Sequence, residues 1–241
     1  MKKSIVSKLL GLALLLIIWQ TGSLLIGKAT LVLPGPLAVI KESIRLLGSA
    51  YTYRCIFFSL LRTLWGFGLS LLMASLLGAI AGNNGFLRNL FSPIMTTLKT
   101  TPTAALIFLF IVLYGASNTP VYVVLLVCMP ILYEAVVAGF TGVDKELLDA
   151  CRIDGTDCWK ENLYIRLPLA LPLIKSGILA SLSLSCKIEL MAEVIAGSTS
   201  PGLGSALAAA QRIDPGNLVP VFAYSLIALT IFLFVDLLLS S

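Results

Sequence analysis

The sequence has no histidine among its 241 residues, and only 12% of the residues are charged. Without imidazole, Ser-His-Asp triads, histidine general bases and His-ligated zinc or haem sites are excluded. The five cysteines form no Cys-x-x-Cys pair, which disfavours a metal or disulfide role. A Gly-x-x-x-x-Gly-Lys-Ser/Thr phosphate loop is also missing. We therefore expect no catalytic residue, no metal site and no cofactor in this chain, and any ATP hydrolysis must occur on another subunit.

What the chain has in abundance is apolar side chains, at 58% of the residues with a mean hydropathy of +0.99. Soluble domains have roughly 45–50% apolar and about 25% charged residues. The composition therefore predicts an all-α membrane protein. The net charge of +5 is explained by basic residues that flank membrane helices, so we expect no nucleic-acid partner.

Apolar runs long enough to cross a bilayer predict six transmembrane helices within a single domain, residues 1–241. An uncleaved N-terminal helix covers residues 9–26, and an outer linker with an interfacial helix covers residues 27–55. A core five-helix bundle follows over residues 56–241. Its spans are residues 56–81, 90–114, 121–140, 171–195 and 218–239, the second being interrupted at residues 99–102 by a segment that ends in proline.

The distribution of lysine and arginine over the connections predicts the orientation, because basic loops stay in the cytoplasm. A cytoplasmic N-terminus puts nine basic residues on the inner connections and five on the outer ones. With six spans, the C-terminus is cytoplasmic as well. We expect a multi-pass protein of the bacterial cytoplasmic (inner) membrane.

The longest polar stretch lies between the fourth and fifth spans, on the predicted cytoplasmic side. Residues 146–155 are helix-forming and end at Gly155, and a second short helix is predicted from Thr156 until Pro168 stops it. This helix-turn-helix is too short to be a domain. Docking to a partner is the functional interpretation, and a solvated loop is the alternative.

The same stretch resembles the EAA loop of ABC importer permeases, whose pattern is Glu-Ala-Ala, three residues, Gly, nine residues and Ile-x-Leu-Pro. The matching residues have the same spacing, with Asp149 in place of Glu and Cys151 in place of the second Ala. Segments at residues 33–36, 59–62, 66–67, 192–193 and 202–204 resemble the nitrate/sulfonate/taurine branch of these permeases. Together the similar segments extend over most of the chain.

The resemblance implies a type I ABC importer permease fold with cytoplasmic coupling helices and a transport subunit that is not itself an enzyme. The implied partners are a second permease chain, expected to form a homodimer, two ABC ATPase subunits that bind ATP and Mg, a periplasmic or lipid-anchored solute-binding protein, and the lipid bilayer. The solute would be an organic sulfonate, a nitrate-like anion or a thiamine-precursor heterocycle, passed inward by alternating access. The implied ATPase-coupling residues are Glu146, Asp149, Ala150, Cys151, Arg152, Asp154, Gly155, Ile165, Leu167 and Pro168.

Charged residues within the predicted spans are candidates for the translocation path or its gate, because such residues are costly in hydrocarbon. These candidates are Arg62, Lys187, Glu189 and Glu193. Glu189 and Glu193 are four residues apart and share a helix face, whereas Lys187 and Glu189 point about 200° apart. An ion pair that only fastens two helices is the equally weighted alternative.

Two other functional classes compete with the importer. A secondary transporter or channel would need paired broken helices or a filter, which the sequence does not display. A membrane-embedded enzyme could use Lys187 with Glu189 and Glu193 as acid and base, but no nucleophile or metal signature accompanies them. Both alternatives leave the polar segment between spans four and five unexplained.

Overall fold

The computed structural model describes residues 2–26, 32–153 and 157–240, and the regular structure in these ranges is entirely helical. The helices are α1 (Lys2–Ile26), α2 (Pro36–Leu47), α3 (Ala50–Asn83), α4 (Gly85–Thr100), α5 (Thr103–Tyr114), α6 (Thr119–Thr141), α7 (Lys145–Ile153), α8 (Cys158–Glu161), α9 (Leu167–Ala196), α10 (Leu203–Ile213) and α11 (Val219–Ser240), with a π-helical turn at Asn162–Arg166 between α8 and α9.

Four helices in the described ranges are long and apolar enough to cross a membrane: α3, α6, α9 with the π turn before it, and α11. The pair α4 and α5 makes a fifth if it is counted as one broken span. In α1, residues Ala13–Ile26 form a shorter apolar stretch. A multi-pass helical membrane protein is therefore established, while the count of six spans stays a prediction.

The predicted interruption of the third span is a bend of 95° between α4 and α5. The break falls at Thr101 and Pro102, since the proline has no N–H to continue the helical ladder and restricts the residue before it. The side chain of Lys99, in the last turn of α4, lies next to this bend.

The interfacial helix is shorter than predicted. It ends at Leu47, and after Gly48 and Ser49 the chain starts α3 at Ala50, so residues 50–55 belong to the long apolar helix. On α2, Glu42 and Arg45 form an exposed ion pair at 2.5 Å, and the hydrogen bond from Arg45 to this carboxylate raises the pKa of the arginine. Arg54 alone is too weak a signal to end an apolar run.

The described part of the chain divides into two compact units, of which the larger comprises residues 60–196 and 234–241. Within it, α3 lies directly against α6 along a line of glycines. A Cβ at Gly66 would lie 2.7 Å from the Val121 carbonyl oxygen, and one at Gly78 would lie 2.8 Å from the Val136 Cβ. Gly82 makes a similar approach to α6. Small residues thus bring the two helix backbones together inside one chain, as the sequence alone allows for Gly78-x-x-x-Gly82.

Helix α9 packs against a neighbouring face of α6 in the same unit. Gly139 of α6 lies against Ala170, and Gly177 of α9 lies against Ala135. The buried core around this contact includes Leu132, Tyr133 and Ile188. Helix α6 is therefore the central element of the larger unit, with α3 and α9 fixed on it by close packing.

The smaller unit comprises the described residues of 1–59 together with residues 197–233. The Trp19 indole N–H donates to the Pro34 carbonyl oxygen at 3.0 Å, and the Ser23 hydroxyl donates to the Leu33 carbonyl oxygen at 2.9 Å. These bonds hold the Leu33-Pro34-Gly35-Pro36 turn against α1.

Helix α10 also belongs to the smaller unit and is an element that the sequence reading did not include. It begins after the extended residue Gly202, and the Leu203 N–H donates to the buried Ser59 hydroxyl at 2.8 Å. Because the first N–H groups of a helix have no partner within it, this side chain caps α10 across 144 residues of sequence.

Candidate functional site

The segment between α6 and α9 contains the residues of the EAA-like pattern. Helix α7 begins after Asp144, whose carboxylate accepts the Glu146 N–H at 3.1 Å. Asp149 is exposed, and Ala150, Cys151 and Arg152 lie on the same helix. Asp154 and Gly155 are outside the described residues. A helix of nine residues between two long apolar helices thus replaces the simple loop of the alternative interpretation.

Helix α7 exposes apolar side chains as well as polar ones. Ile153 is 86% exposed and Leu147 is 43% exposed, whereas Leu148 is buried. Because Ile153 is so exposed, its side chain contributes no apolar burial to the folding of its own chain. This apolar surface is available to a partner.

The second short helix does not stop at Pro168, which corrects the sequence prediction. Helix α8 continues through the π turn into α9, so the chain is helical from Cys158 to Ala196. Pro168 directly follows the π turn, where the regular i→i−4 ladder is already interrupted, so its missing N–H does not end the helix. Ile165 and Leu167 are half-buried at the junction, and Pro168 is exposed.

A buried ion pair spans the π turn. The guanidinium of Arg166 donates to one oxygen of Glu161 through Nε at 2.9 Å and through Nη2 at 2.7 Å. Both side chains are nearly inaccessible to solvent. The turn is closed in the backbone by the Leu167 N–H, which donates to the Asn162 carbonyl oxygen. Isolated π turns are common at functional positions, and this one joins the polar segment to a membrane helix.

Sequence reasoning missed Glu161 as a partner of Arg166 because the two residues are five apart. In an α-helix, side-chain neighbours are three or four apart, so the helical rules do not pair them. The π turn winds more residues into each turn and brings positions i and i+5 together.

A second buried cluster lies inside the larger unit and contains three of the four predicted path residues. Arg62 of α3 donates to the Glu193 carboxylate of α9, and the side chain of Glu193 is 1% exposed. Glu189, one turn away from Glu193, is fully buried, and neither of its carboxylate oxygens has a hydrogen-bond partner among the described residues. The structure thus joins Arg62 and Glu193 in an ion pair between two spans.

Lys187 is separate from this cluster. Its side chain is exposed, whereas Glu189 on the same helix is buried, in agreement with their predicted angular separation. Another lysine has an ion-pair partner that the sequence did not indicate: Lys99 donates to both oxygens of Glu134, at 2.9 and 2.7 Å. This pair links α4 to α6 and is about half exposed.

A cavity of about 340 Å³, lined by polar, charged and apolar side chains, lies between α4 and α6. Its lining includes Arg88, Ser92 and Thr96 from α4, and Tyr133, Glu134 and Thr141 from α6. The sequence reading assigned Arg88 to a cytoplasmic connection and Glu134 to a span, and did not bring the lining residues together. The four-residue spacing of Arg88, Ser92 and Thr96 is the sequence signal that could have indicated that they share one face of α4.

Comparison with known proteins identifies the family. Residues 74–240 match the family described as binding-protein-dependent transport system inner membrane component, which is more than half of the chain. The match includes α7, α8, the π turn and all of α9.

Individual relatives agree with this match. The riboflavin transport system permease protein RibX of Chloroflexus aurantiacus is 30% identical over 231 residues, covering 94% of this chain and 85% of the relative. A probable ABC transporter permease of Brucella melitensis is 30% identical over 98% of this chain and 96% of its own length. The putative aliphatic sulfonates transport permease SsuC of Bacillus subtilis is 28% identical, covering 86% of this chain and 75% of the relative. With its helical membrane fold, its polar segment before α9 and a family match over most of its length, the chain belongs to the inner-membrane permease components of binding-protein-dependent ABC importers.

Proposed function

We propose that the chain passes a small solute across the cytoplasmic membrane by alternating access, driven by ATPase subunits that dock on α7 and α8. ATP and Mg bind to those subunits, an external binding protein delivers the solute, and a second copy of this chain completes the pathway. Both chain termini are cytoplasmic. The family membership supports the general partner classes, and the geometry of the polar segment supports the docking site.

The observation that carries the docking site is the exposed apolar surface of α7. Ile153 and Leu147 present hydrocarbon to solvent on a helix that also contains four charged residues. Interfaces place such side chains at their centre with polar residues at the rim. Glu146 and Asp149 are exposed on the same helix and supply that rim. Arg152, Ala150 and Cys151 are assigned to the docking segment by the spacing of the EAA-like pattern.

The force applied at the docking site has a direct route into the membrane. From Cys158 to Ala196 the chain is one helical rod, braced at its π turn by the Glu161–Arg166 ion pair. Glu189 and Glu193 lie near the far end of this rod. A movement of α8 imposed by an ATPase would therefore shift these carboxylates against Arg62 of α3, as expected for rigid-body switching.

We assign Arg62, Glu189 and Glu193 to the gate of the pathway on this basis. The buried pair fastens α3 to α9 in the state described here, and the unpartnered Glu189 carboxyl is available to the guanidinium after a shift of about one helical turn. Lys187, exposed on another face of α9, is assigned to the surface that meets the second permease chain or the pathway.

The relatives define the range of solutes. Riboflavin and aliphatic sulfonates are the solutes in the names of two of them. For this chain we propose a small organic solute of that range, an organic sulfonate or a heterocycle such as a thiamine precursor, with nitrate-like anions as the smallest members.

Replacement of Ile153 by aspartate tests the docking site. The chain is purified in nanodiscs with its native genetic neighbours, and the co-eluting ATPase is quantified for wild type and variant. We expect Ile153→Asp to abolish co-elution, because a charge in the apolar centre of an interface is left desolvated. Gly155→Asp in the EAA-like pattern is expected to do the same.

The matched control is Ile213→Asp, the same change at an isoleucine with 83% exposure at the end of α10, in the connection between α9 and α11. It should retain the ATPase. Retention of the ATPase by folded Ile153→Asp contradicts the docking site. Loss in both variants with an altered elution profile indicates a folding effect, which the thermal stability of the two proteins then measures.

A further inference from the structure

The cavity between α4 and α6 has a chemical character that the proposed function has not used. On α4, Arg88, Ser92, Thr96 and Lys99 are spaced four, four and three residues apart and therefore occupy one face of the helix. All four are exposed. Polar and charged side chains in membrane segments face a water-filled path or another protein surface rather than lipid.

The charges of the cavity do not cancel. Glu134 is paired through both oxygens with Lys99, so its negative charge is already neutralised. None of the ion pairs in the described ranges includes Arg88. The guanidinium of Arg88, with five N–H donors in a planar fork, is left to dominate the potential of the cavity.

A second donor accompanies Arg88. Tyr133 is only 4% exposed, and its hydroxyl has no hydrogen-bond partner within the described part of the chain. Arg88 and Tyr133 line the same cavity. The hydroxyls of Thr96 and Thr141 already donate to backbone carbonyls of their own helices, so their oxygens are left only as acceptors.

The unsatisfied donors of the cavity therefore include Arg88 and Tyr133; the guanidinium favours an acceptor that bears negative charge, and the phenol can donate to the same group. Planar bidentate recognition by arginine suits carboxylate, sulfonate and phosphate groups. The volume of about 340 Å³ is at the lower end of small-molecule sites, which begin at about 300 Å³.

We propose that this cavity is a binding site for the anionic group of the transported solute, with Arg88 and Tyr133 as the specificity-determining donors. The inference rests on the proposed transport function and adds to it the charge of the solute. Helix α6 ends at Thr141, four residues before α7 begins, so the site is adjacent in sequence to the docking segment. A solute bound in the cavity is therefore positioned where it could influence docking of the ATPase.

The test measures the electrostatic potential of the cavity with charged thiol reagents. Ser92→Cys is introduced into the full chain after its five native cysteines are replaced, and the protein is reconstituted in phosphatidylcholine nanodiscs. Modification rates are measured with an anionic sulfonate-bearing methanethiosulfonate and with a cationic trimethylammonium analogue. Each rate is divided by the rate of the same reagent with a free thiol in solution.

We expect the anionic reagent to be favoured at position 92, and Arg88→Gln to lower the anion-to-cation ratio by about tenfold, the size expected for one unit charge a few ångströms away. Arg88→Lys should restore most of the ratio. Ethanesulfonate should protect the thiol from modification, and Tyr133→Phe should weaken this protection. The reference position is Asn118→Cys, exposed in the turn between α5 and α6, which should show no dependence on Arg88.

A ratio at position 92 that does not respond to Arg88→Gln overturns the proposal. A thiol that reacts in detergent but not in nanodiscs also overturns it, because the cavity would then face lipid. If anionic phosphatidylglycerol nanodiscs protect the thiol and ethanesulfonate does not, the anion is a lipid headgroup and the solute assignment fails. Labelling is performed with and without the co-eluting ATPase, and failure of the ATPase to co-elute with the wild-type chain refutes the docking proposal separately.

Discussion

The buried pair between Arg62 and Glu193 gives the sharpest stability prediction. Arg62→Met removes the cation but keeps the length of the side chain, and leaves two carboxyl groups, Glu193 and Glu189, one helical turn apart in a buried site. Breaking a buried pair from one side costs about 3–5 kcal/mol, because the remaining charge is uncompensated. Glu193→Gln should cost less, since the amide oxygen still accepts from the guanidinium and Glu189 stays nearby.

The double variant distinguishes this explanation from simple loss of packing. With both charges removed, the free energy of unfolding should recover to within about 2 kcal/mol of wild type, which gives a coupling energy of about 2–3 kcal/mol in the double-mutant cycle. Unfolding is followed by titration with denaturing detergent in mixed micelles. The recovery should be visible as a double variant more stable than Arg62→Met alone.

The control is the pair formed by Lys99 and Glu134, whose side chains are 44% and 51% exposed. Exposed pairs contribute about 0–1 kcal/mol, so Lys99→Met and Glu134→Gln should have small effects on stability. If Arg62→Met is as mild as Lys99→Met, or if the Arg62 and Glu193 changes are additive, the buried pair does not fasten α3 to α9 and the reasoning is refuted.

Three further predictions concern packing, capping and coupling. Gly66→Ala should lower the free energy of unfolding by about 1–3 kcal/mol, because its Cβ would meet the Val121 carbonyl. Gly68→Ala is the control, since open space surrounds Gly68, and it should be neutral or stabilising. Equal effects of the two changes in thermal unfolding would disprove the close approach of α3 and α6. Ser59→Ala should lower the same free energy by about 1–3 kcal/mol, because the first amide of α10 loses its buried acceptor, and faster hydrogen exchange at that amide should accompany it. Glu161→Gln should keep the ATPase bound but reduce solute uptake per ATP hydrolysed; an unchanged ratio would show that the π turn needs no ion pair to transmit force.

Much of the fold was predictable because hydrocarbon length and helix breakers are local properties. The apolar runs located α3, α6, α9 and α11, and Pro102 located the bend between α4 and α5. The start of α3 was misjudged, since Arg54 suggested a polar border that the helix simply includes. Pro168 was misjudged because the π turn before it interrupts the regular backbone ladder, so the proline does not end the helix.

The candidate sites differ from one another in how far the sequence alone predicts them. The motif with Asp149, Gly155 and Pro168 is a pattern of spacing, so it could be read without a structure. The ion pair of Glu161 with Arg166 could not, because it exists only where the backbone forms a π turn. The cavity at Arg88 lies between α4 and α6. Lys99 of α4 and Glu134 of α6 form an ion pair although they are 35 residues apart in sequence, and no local rule predicts a contact over that separation.

By itself the sequence determined that this protein is a helical membrane protein with a polar segment of the importer type, because composition, run length and motif spacing depend only on the order of residues. Only the tertiary structure decided which charges meet, since Arg62 and Glu193 are 131 residues apart. Helices α3, α6 and α11 are apolar nearly all the way round, so periodicity does not reveal which face is turned inward. The rotation of α3 and α6 is set by close packing at their glycines, and with α9 packed on α6 the Glu193 carboxylate meets Arg62, while Glu189 has no hydrogen-bond partner among the described residues.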